Sequence, residues 1–241
     1  MEYAKLNNAG SREINEDSID IFREGERMIF VLADGLGGHG GGEIASQKAV
    51  ETVGKTFAGG GDEPVEKLMR EAFQNAHNML KKMQNEVGNR SFFKTTLVIL
   101  VVDRDYVIWG HVGDSRIYHF EQGKLIERSM DHSVPQVLAS AGKISERKIR
   151  FHEDRNKLTR VLGSEDENSK PFITAREPRN RAASFLLCTD GFWELIDEKH
   201  MESSLRRSNT TRGWIRSMEE RVVKKGKNRD MDNYSAIAVM L

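Results

Sequence analysis

The chain has 241 residues, with 37 basic and 37 acidic side chains for a formal net charge of zero, and a single cysteine, Cys188. With no linker-like shift in composition, no repeat and no low-complexity segment, one domain over residues 1–241 is expected. The balanced charge argues against a nucleic-acid partner, no apolar run is long enough to cross a membrane, no signal peptide follows Met1, and Cys188 can form neither an internal disulfide nor a cysteine metal site; a soluble, cytoplasmic protein is expected.

Tyr3 to Leu6 and Ser18 to Phe22 read as edge strands on either side of the polar run Arg12-Glu13-Ile14-Asn15-Glu16-Asp17. Met28 to Ala33 is a short apolar run without a break, the pattern of a buried strand. It runs into Asp34-Gly35-Leu36-Gly37-Gly38-His39-Gly40-Gly41-Gly42-Glu43, and a helix to about Phe57 follows. Glycines beside an aspartate let the backbone approach a ligand closely. Gly54-Lys55-Thr56 imitates the end of a phosphate-binding P-loop, but Ala49 stands where that motif needs glycine, and the fragment lies in a helical pattern.

A second helix begins near Pro64 and carries Leu68, Ala72, Ala76, Leu80, Met83 and Val87 on one face, with His77 read as packing or surface. The middle of the chain reads as an antiparallel meander: Thr95 to Val102, Tyr106 to His111, then, past Gly113-Asp114-Ser115-Arg116, Ile117 to Phe120 and Leu125-Ile126. From Asp131 to Pro171 the composition turns polar, with helices expected at 134–141 and near 145–150. This stretch reads as an insert lying on the surface. Ser184 to Thr189 is another buried strand running into an aspartate, Asp190-Gly191. A charged helix is expected over 211–225, and Tyr234 to Leu241 is a closing strand. Helices packed outside β-sheets account for this order.

Asp34, Asp190 and Asp232 each sit where a strand meets a loop, while Glu16, Asp17 and Asp114 read as polar turn residues. Brought together, such acids oppose one another's ionisation unless a cation compensates. All-oxygen donors favour magnesium, manganese or calcium. Two such ions clamp the attacking and leaving oxygens of a phosphoryl displacement, and Arg12 is placed to hold phosphate oxygens in a fork. Each acid taken alone reads more readily as a solvated turn residue, and nothing in the sequence by itself brings them together.

The ordered set of motifs goes further. Arg12-x-x-Asn15-Glu16-Asp17, Val31-Leu32-Ala33-Asp34-Gly35-Leu36-Gly37-Gly38-His39, Gly113-Asp114-Ser115-Arg116, Asp131-His132-Ser133, Leu158-Thr159-Arg160-Val161-Leu162-Gly163, Thr189-Asp190-Gly191 and Asp232-Asn233 span nearly the whole chain. In that order they resemble the metal-dependent serine/threonine protein phosphatases, the protein phosphatase 2C family, bacterial members in particular. The resemblance implies an α+β fold, a four-layer αββα sandwich of two antiparallel sheets flanked by helices, with a dimetal site at one end between the sheets. It implies two manganese or magnesium ions and a third, weaker one. Asp34 would bridge the two metals, Asp190 and Asp232 would complete the first site, and Glu16 with the carbonyl of Gly35 the second. Asp17 would hold a metal's water, Asp114 with Asp190 would bind the third ion, and Arg12 would take the substrate phosphate.

By the same resemblance the 131–171 stretch is a flap beside the site. The implied activity is hydrolysis of phosphoserine and phosphothreonine in proteins by direct attack of a water that the metals bridge. The implied partner is a phosphorylated protein, in opposition to a serine/threonine kinase and with the phosphatase a monomer. Leu36 stands where many eukaryotic members carry a histidine; His39 is read either as a proton donor to the leaving alkoxide or as structural. His111 is read as packing and His132 as a loop anchor. Rival readings are a catalytically dead phosphoprotein-binding module, a phosphatase dedicated to one regulatory phosphoprotein, and a small-molecule phosphatase.

Overall fold

The computed structural model describes residues 1–37 and 41–241, with the backbone alone of Asp166 and Glu167. Two antiparallel sheets lie face to face. The first contains β1 (Glu2–Asn8), β12 (Tyr234–Met240), β11 (Ala183–Cys188), β7 (Arg116–Glu121) and β8 (Lys124–Arg128), in that spatial order. The second runs β10 (Glu177–Pro178), β6 (Tyr106–Val112), β5 (Leu97–Val102), β3 (Arg27–Leu36), β2 (Asp17–Glu24), with β4 (Lys94–Thr95) on β3 and β9 (Phe172–Ile173) on β6.

The apolar run of β3 explains the layering. Its side chains alternate in direction with period two: Phe30 and Leu32 enter the core between the sheets, whereas Ile29, Val31 and Ala33 face a second core beneath α1 (Gly41–Ala58) and α2 (Val65–Val87). Both faces are buried, so the run has no polar interruption. The other sheet repeats the arrangement. Phe185 and Leu187 point to the shared core, and Leu186 and Cys188 point outward beneath α5 (Glu198–Arg207) and α6 (Thr211–Gly226). The result is the expected helix–sheet–sheet–helix sandwich, and Cys188 is buried packing.

Both predicted edge strands, β1 and β2, lie on edges. The predicted meander does not hold throughout. β5 and β6 pair in one sheet and β7 and β8 in the other, because the chain crosses the sandwich at Gly113-Asp114-Ser115. Gly113 makes the crossing with φ +104, a conformation that favours glycine, and a Cβ there would stand 2.6 Å from Cγ2 of Thr96. Helix α5 was not foreseen; Met201 and Leu205 are its two buried apolar residues, too few to register as a helical period.

The 131–171 stretch carries α3 (Val134–Ser140), capped by Ser133 accepting from the Gln136 amide, and two 3-10 turns. Its base is locked to the first sheet by a buried ion pair. Arg116 reaches Asp131 through two bonds, of 2.7 and 2.6 Å, with both side chains at most 2% exposed. The guanidinium also lies 3.4 Å from the ring centre of Trp193 in α4 (Asp190–Trp193). Removing one partner of such a pair strands a buried charge and costs about 3–5 kcal/mol. Asp131→Ala is therefore expected to lower unfolding free energy by that amount in a urea titration, and a loss under about 1 kcal/mol would show the pair to be dispensable.

Candidate metal centre

Strand register brings the first two acids together. Asp17 and Asp34 are direct cross-strand partners on β2 and β3. Opposite residues in an antiparallel pair share a face, with Cβ atoms roughly 4.5–5.5 Å apart. Asp17 is thus a buried strand residue, 6% exposed, and not the polar turn residue expected. Its Oδ2 accepts from Thr189 Oγ1 at 3.0 Å, while its Oδ1 is buried without a hydrogen-bond partner. Asp34 is held through its backbone: its amide donates to Thr96 Oγ1, and its carbonyl accepts from the Thr96 amide and from Thr95 Oγ1, all at 2.8–2.9 Å.

Asp114, at the crossing between sheets, is likewise buried, at 5% exposed. Its turn is clamped from both sides. The Gly113 amide donates to Nδ1 of His132, the His132 amide returns a bond to the Gly113 carbonyl, and Trp193 Nε1 donates to the Asp114 carbonyl. His132 is therefore the loop anchor that was expected. Asp190 opens α4, and its carboxyl lies within hydrogen-bonding reach of that of Asp34. Gly191 beside it must be glycine, since a Cβ would stand 2.1 Å from the Asn233 carbonyl.

The rim comes from the two ends of the chain. Asn233 accepts the Glu16 amide at 2.8 Å and donates to the carbonyls of Ala9 and Ile14. The Gly42 amide, at the start of α1, donates to the Glu16 carboxylate, and a Cβ on Gly42 would stand 2.5 Å from Oε1 of Glu16. Arg12 lies across the rim with its Nε 3.2 Å from Oδ1 of Asp232 and its Nη2 3.3 Å from Oδ2. The residue expected to hold phosphate and one expected to hold metal are thus paired with each other. Both are about half exposed, at 47% and 52%, so the pair contributes little to stability.

Arg12, Glu16, Asp34, Gly35, Asp114, Asp190 and Asp232 all line one cleft of about 670 Å3 at this end of the sandwich, and Asp17 lies behind Asp34. Asn156 and Leu158, from the 131–171 stretch, complete its wall. The roles of Thr96, Thr189 and Asn233 went unread. A threonine breaking the apolar run Leu97–Val102 at its start, and polar residues flanking Asp190 and Asp232, were the available signals. His39, read as proton donor or structural residue, lies outside the described residues.

The electrostatics test whether cations fit. Burial, then the charges of Asp17, Asp190, Asp114 and Asp232, pushes Asp34 far above the usual carboxylate range. Burial and Asp190 do the same to Asp114. Burial lifts Asp17 to about 7; burial and the charge of Asp232 lift Asp190 to about 6. Glu16 is raised by burial and by Asp232, against the opposing pull of the Gly42 amide and Arg12. Among the described residues no three of these side chains stand as a ready-made ligand cage. The donors are nonetheless all oxygen, one of them is buried and unpartnered, and they crowd more negative charge than nearby cations offset. That is the donor set of hard divalent ions such as manganese or magnesium.

Residues 7–233 match the family description Protein phosphatase 2C. The chain belongs to this family. The serine/threonine phosphatase stp of Listeria welshimeri is 30% identical over 200 residues, covering 81% of this chain and 79% of that protein. Stp1 from Staphylococcus aureus, at 24% identity, superposes with a TM-score of 0.90 over 100% of this chain and 94% of its own. The catalytic domain of the phosphatase PstP, solved in complex with 2 manganese ions, superposes with a TM-score of 0.83 at 22% identity, covering 98% of this chain and 96% of its own.

In this member of the protein phosphatase 2C family, the raised Asp17 gives a test that needs no turnover. A carboxyl whose folded-state pKa exceeds its unfolded value keeps its proton longer in the folded state, so its contribution to stability falls as pH rises from 3.8 through about 7. Asp17→Asn cannot ionise. In the presence of chelator it is expected to be more stable than wild type above pH 7, with the gain shrinking toward zero near pH 3.8. Urea titrations across that range check it; a pH-independent difference would show that Asp17 is not the source.

Proposed function

We propose that this chain is a metal-dependent phosphoprotein phosphatase that hydrolyses phosphoserine and phosphothreonine without a covalent intermediate. The observation that carries the reading is the opposition of Asp17 and Asp34 at the head of a cleft that Asp114, Asp190 and Asp232 also face, inside the region matched to the protein phosphatase 2C family. In this reading Asp34, Asp190 and Asp232 would hold one divalent cation, and Asp34 with Glu16 and the Gly35 carbonyl would hold a second. Asp17 orients water behind them, and Asp114 with Asp190 offers a weaker third position. When bound, the ions lower the pKa of water and neutralise charge on the transferring phosphoryl group and the leaving oxygen.

The chain's own residues do the rest. Arg12 binds the phosphate: its exposed pairing with Asp232 is easily exchanged, and a guanidinium fork matches two phosphate oxygens. The Thr96 and Thr189 hydroxyls fix Asp34 and Asp17 before substrate arrives. The described lining of the cleft contains no serine, threonine, cysteine or histidine side chain. The carboxylates that could otherwise attack phosphorus are the ones this reading commits to the cations, which leaves water as the attacking group. The same reading takes residues 1–241 as one catalytic domain with 131–171 as its flap, acting as a monomer on proteins phosphorylated by a serine/threonine kinase.

Release of phosphate from a phosphothreonine peptide is expected with added manganese and is expected to stop with excess chelator. Asp34→Asn and Asp190→Asn should each reduce the rate at least about a hundredfold while circular dichroism stays near wild type. Wild-type rates in both variants would sink the dimetal assignment.

A further inference from the structure

A second cavity, of about 380 Å3, lies beside the cleft. That is the lower end of the roughly 300–1,000 Å3 of ligand pockets, room for a side chain more than for a cofactor. Three large apolar side chains border it, each about half exposed: Met130 at 46%, Val137 at 57% and Phe172 at 48%. Single apolar residues are ordinary on a surface; these three gather around one hollow.

Part of the lining is aromatic. The rings of His111 and His132 stack at 4.7 Å and 6°, and Phe172 tilts against His111 at 5.8 Å. Both imidazoles are kept neutral, His111 by burial and His132 by burial and by His111 next to it. The cations differ. Arg128 is engaged with the Ser129 carbonyl, Gln136 and Glu146, whereas Arg160 is exposed and makes no ion pair or hydrogen bond among the described residues.

Cavity and cleft meet at consecutive residues. Leu158 lines the cleft, and Thr159 and Arg160 line the cavity; Asp114 lines the cleft, and its neighbour Gly113 is bonded both ways to His132 in the cavity wall. Consecutive Cα atoms are about 3.8 Å apart, so the two hollows share a wall one residue thick at these points.

We propose that this cavity docks a segment of the phosphoprotein substrate near its phosphorylated residue, taking one bulky apolar side chain with an adjacent carboxylate on Arg160. The inference rests on the phosphatase reading and extends it from chemistry to sequence preference. The apolar walls supply affinity by burial, and the unpaired guanidinium supplies charge complementarity.

The test is a phosphothreonine peptide series in which a Leu-Glu pair is moved from two to about five residues either side of the phosphoresidue, against an Ala-Ala control. At one spacing wild type is expected to prefer Leu-Glu by about tenfold in kcat/KM, through KM. Val137→Glu should abolish the preference, and Arg160→Gln should remove the part due to glutamate, both read as the ratio of peptide to p-nitrophenyl phosphate turnover so that a general loss of activity cancels. Equal kcat/KM across the series in wild type, or a preference that survives both variants, overturns the docking. Fluorescence anisotropy of the labelled, unphosphorylated Leu-Glu peptide separates the two readings. Binding that Val137→Glu weakens, in a protein that hydrolyses nothing, would uphold the docking and overturn the phosphatase reading.

Discussion

The structure depends on a register that is unfavourable by itself. Pairing β2 with β3 sets Asp17 squarely opposite Asp34, and like charges directly across two strands destabilise a sheet. The alternation that buries Phe30 and Leu32 on one face and Ile29 and Val31 on the other holds the register in place, since a slip by one residue would turn every side chain over. The two hydrophobic cores thus hold the carboxylates where they repel each other, a repulsion that a cation bound between them would relieve.

Around this pair, polar side chains are spent on geometry. Thr96, just before β5, and Thr189, just after β11, grip Asp34 and Asp17 from the ends of strands on opposite sheets. Arg116 ties Asp131 to the stacked Trp193, whose indole holds the Asp114 carbonyl, while the next residue, His132, holds Gly113. The turn that crosses the sandwich is therefore fixed from the first sheet and from the 131–171 stretch at once. A chain that changes sheets has no ladder to guide it there, and these bonds take the ladder's place.

The strong apolar runs made β3, β5 and β11 legible in the sequence, and the glycine turn and its aspartate marked the mouth of the cleft. Other features were not legible. Gly113 to Ser115 reads as a tight turn whether the next strand joins the same sheet or the opposite one; only the long-range pairing of β7 with β11 decides. Asp17 reads as polar loop because its burial depends on Thr189, far away in sequence. The ordered motifs named residues that the fold brings to one cleft, but no motif could say that Arg12 would rest on Asp232, an arrangement set by how the two ends of the chain meet.

That meeting bears on how the protein comes into being. The rim of the cleft is closed by Asn233 on Glu16, 217 residues apart, and by β12 sliding between β1 and β11. A chain emerging from the ribosome carries Asp17, Asp34 and Asp114 long before it carries Asp232. Domains fold largely as units, and pairings between distant segments form late. The cleft is therefore incomplete throughout elongation. A product cut short before Asp232 lacks part of the carboxylate set, and one cut short within Tyr234–Met240 lacks the strand that seats that set between β1 and β11.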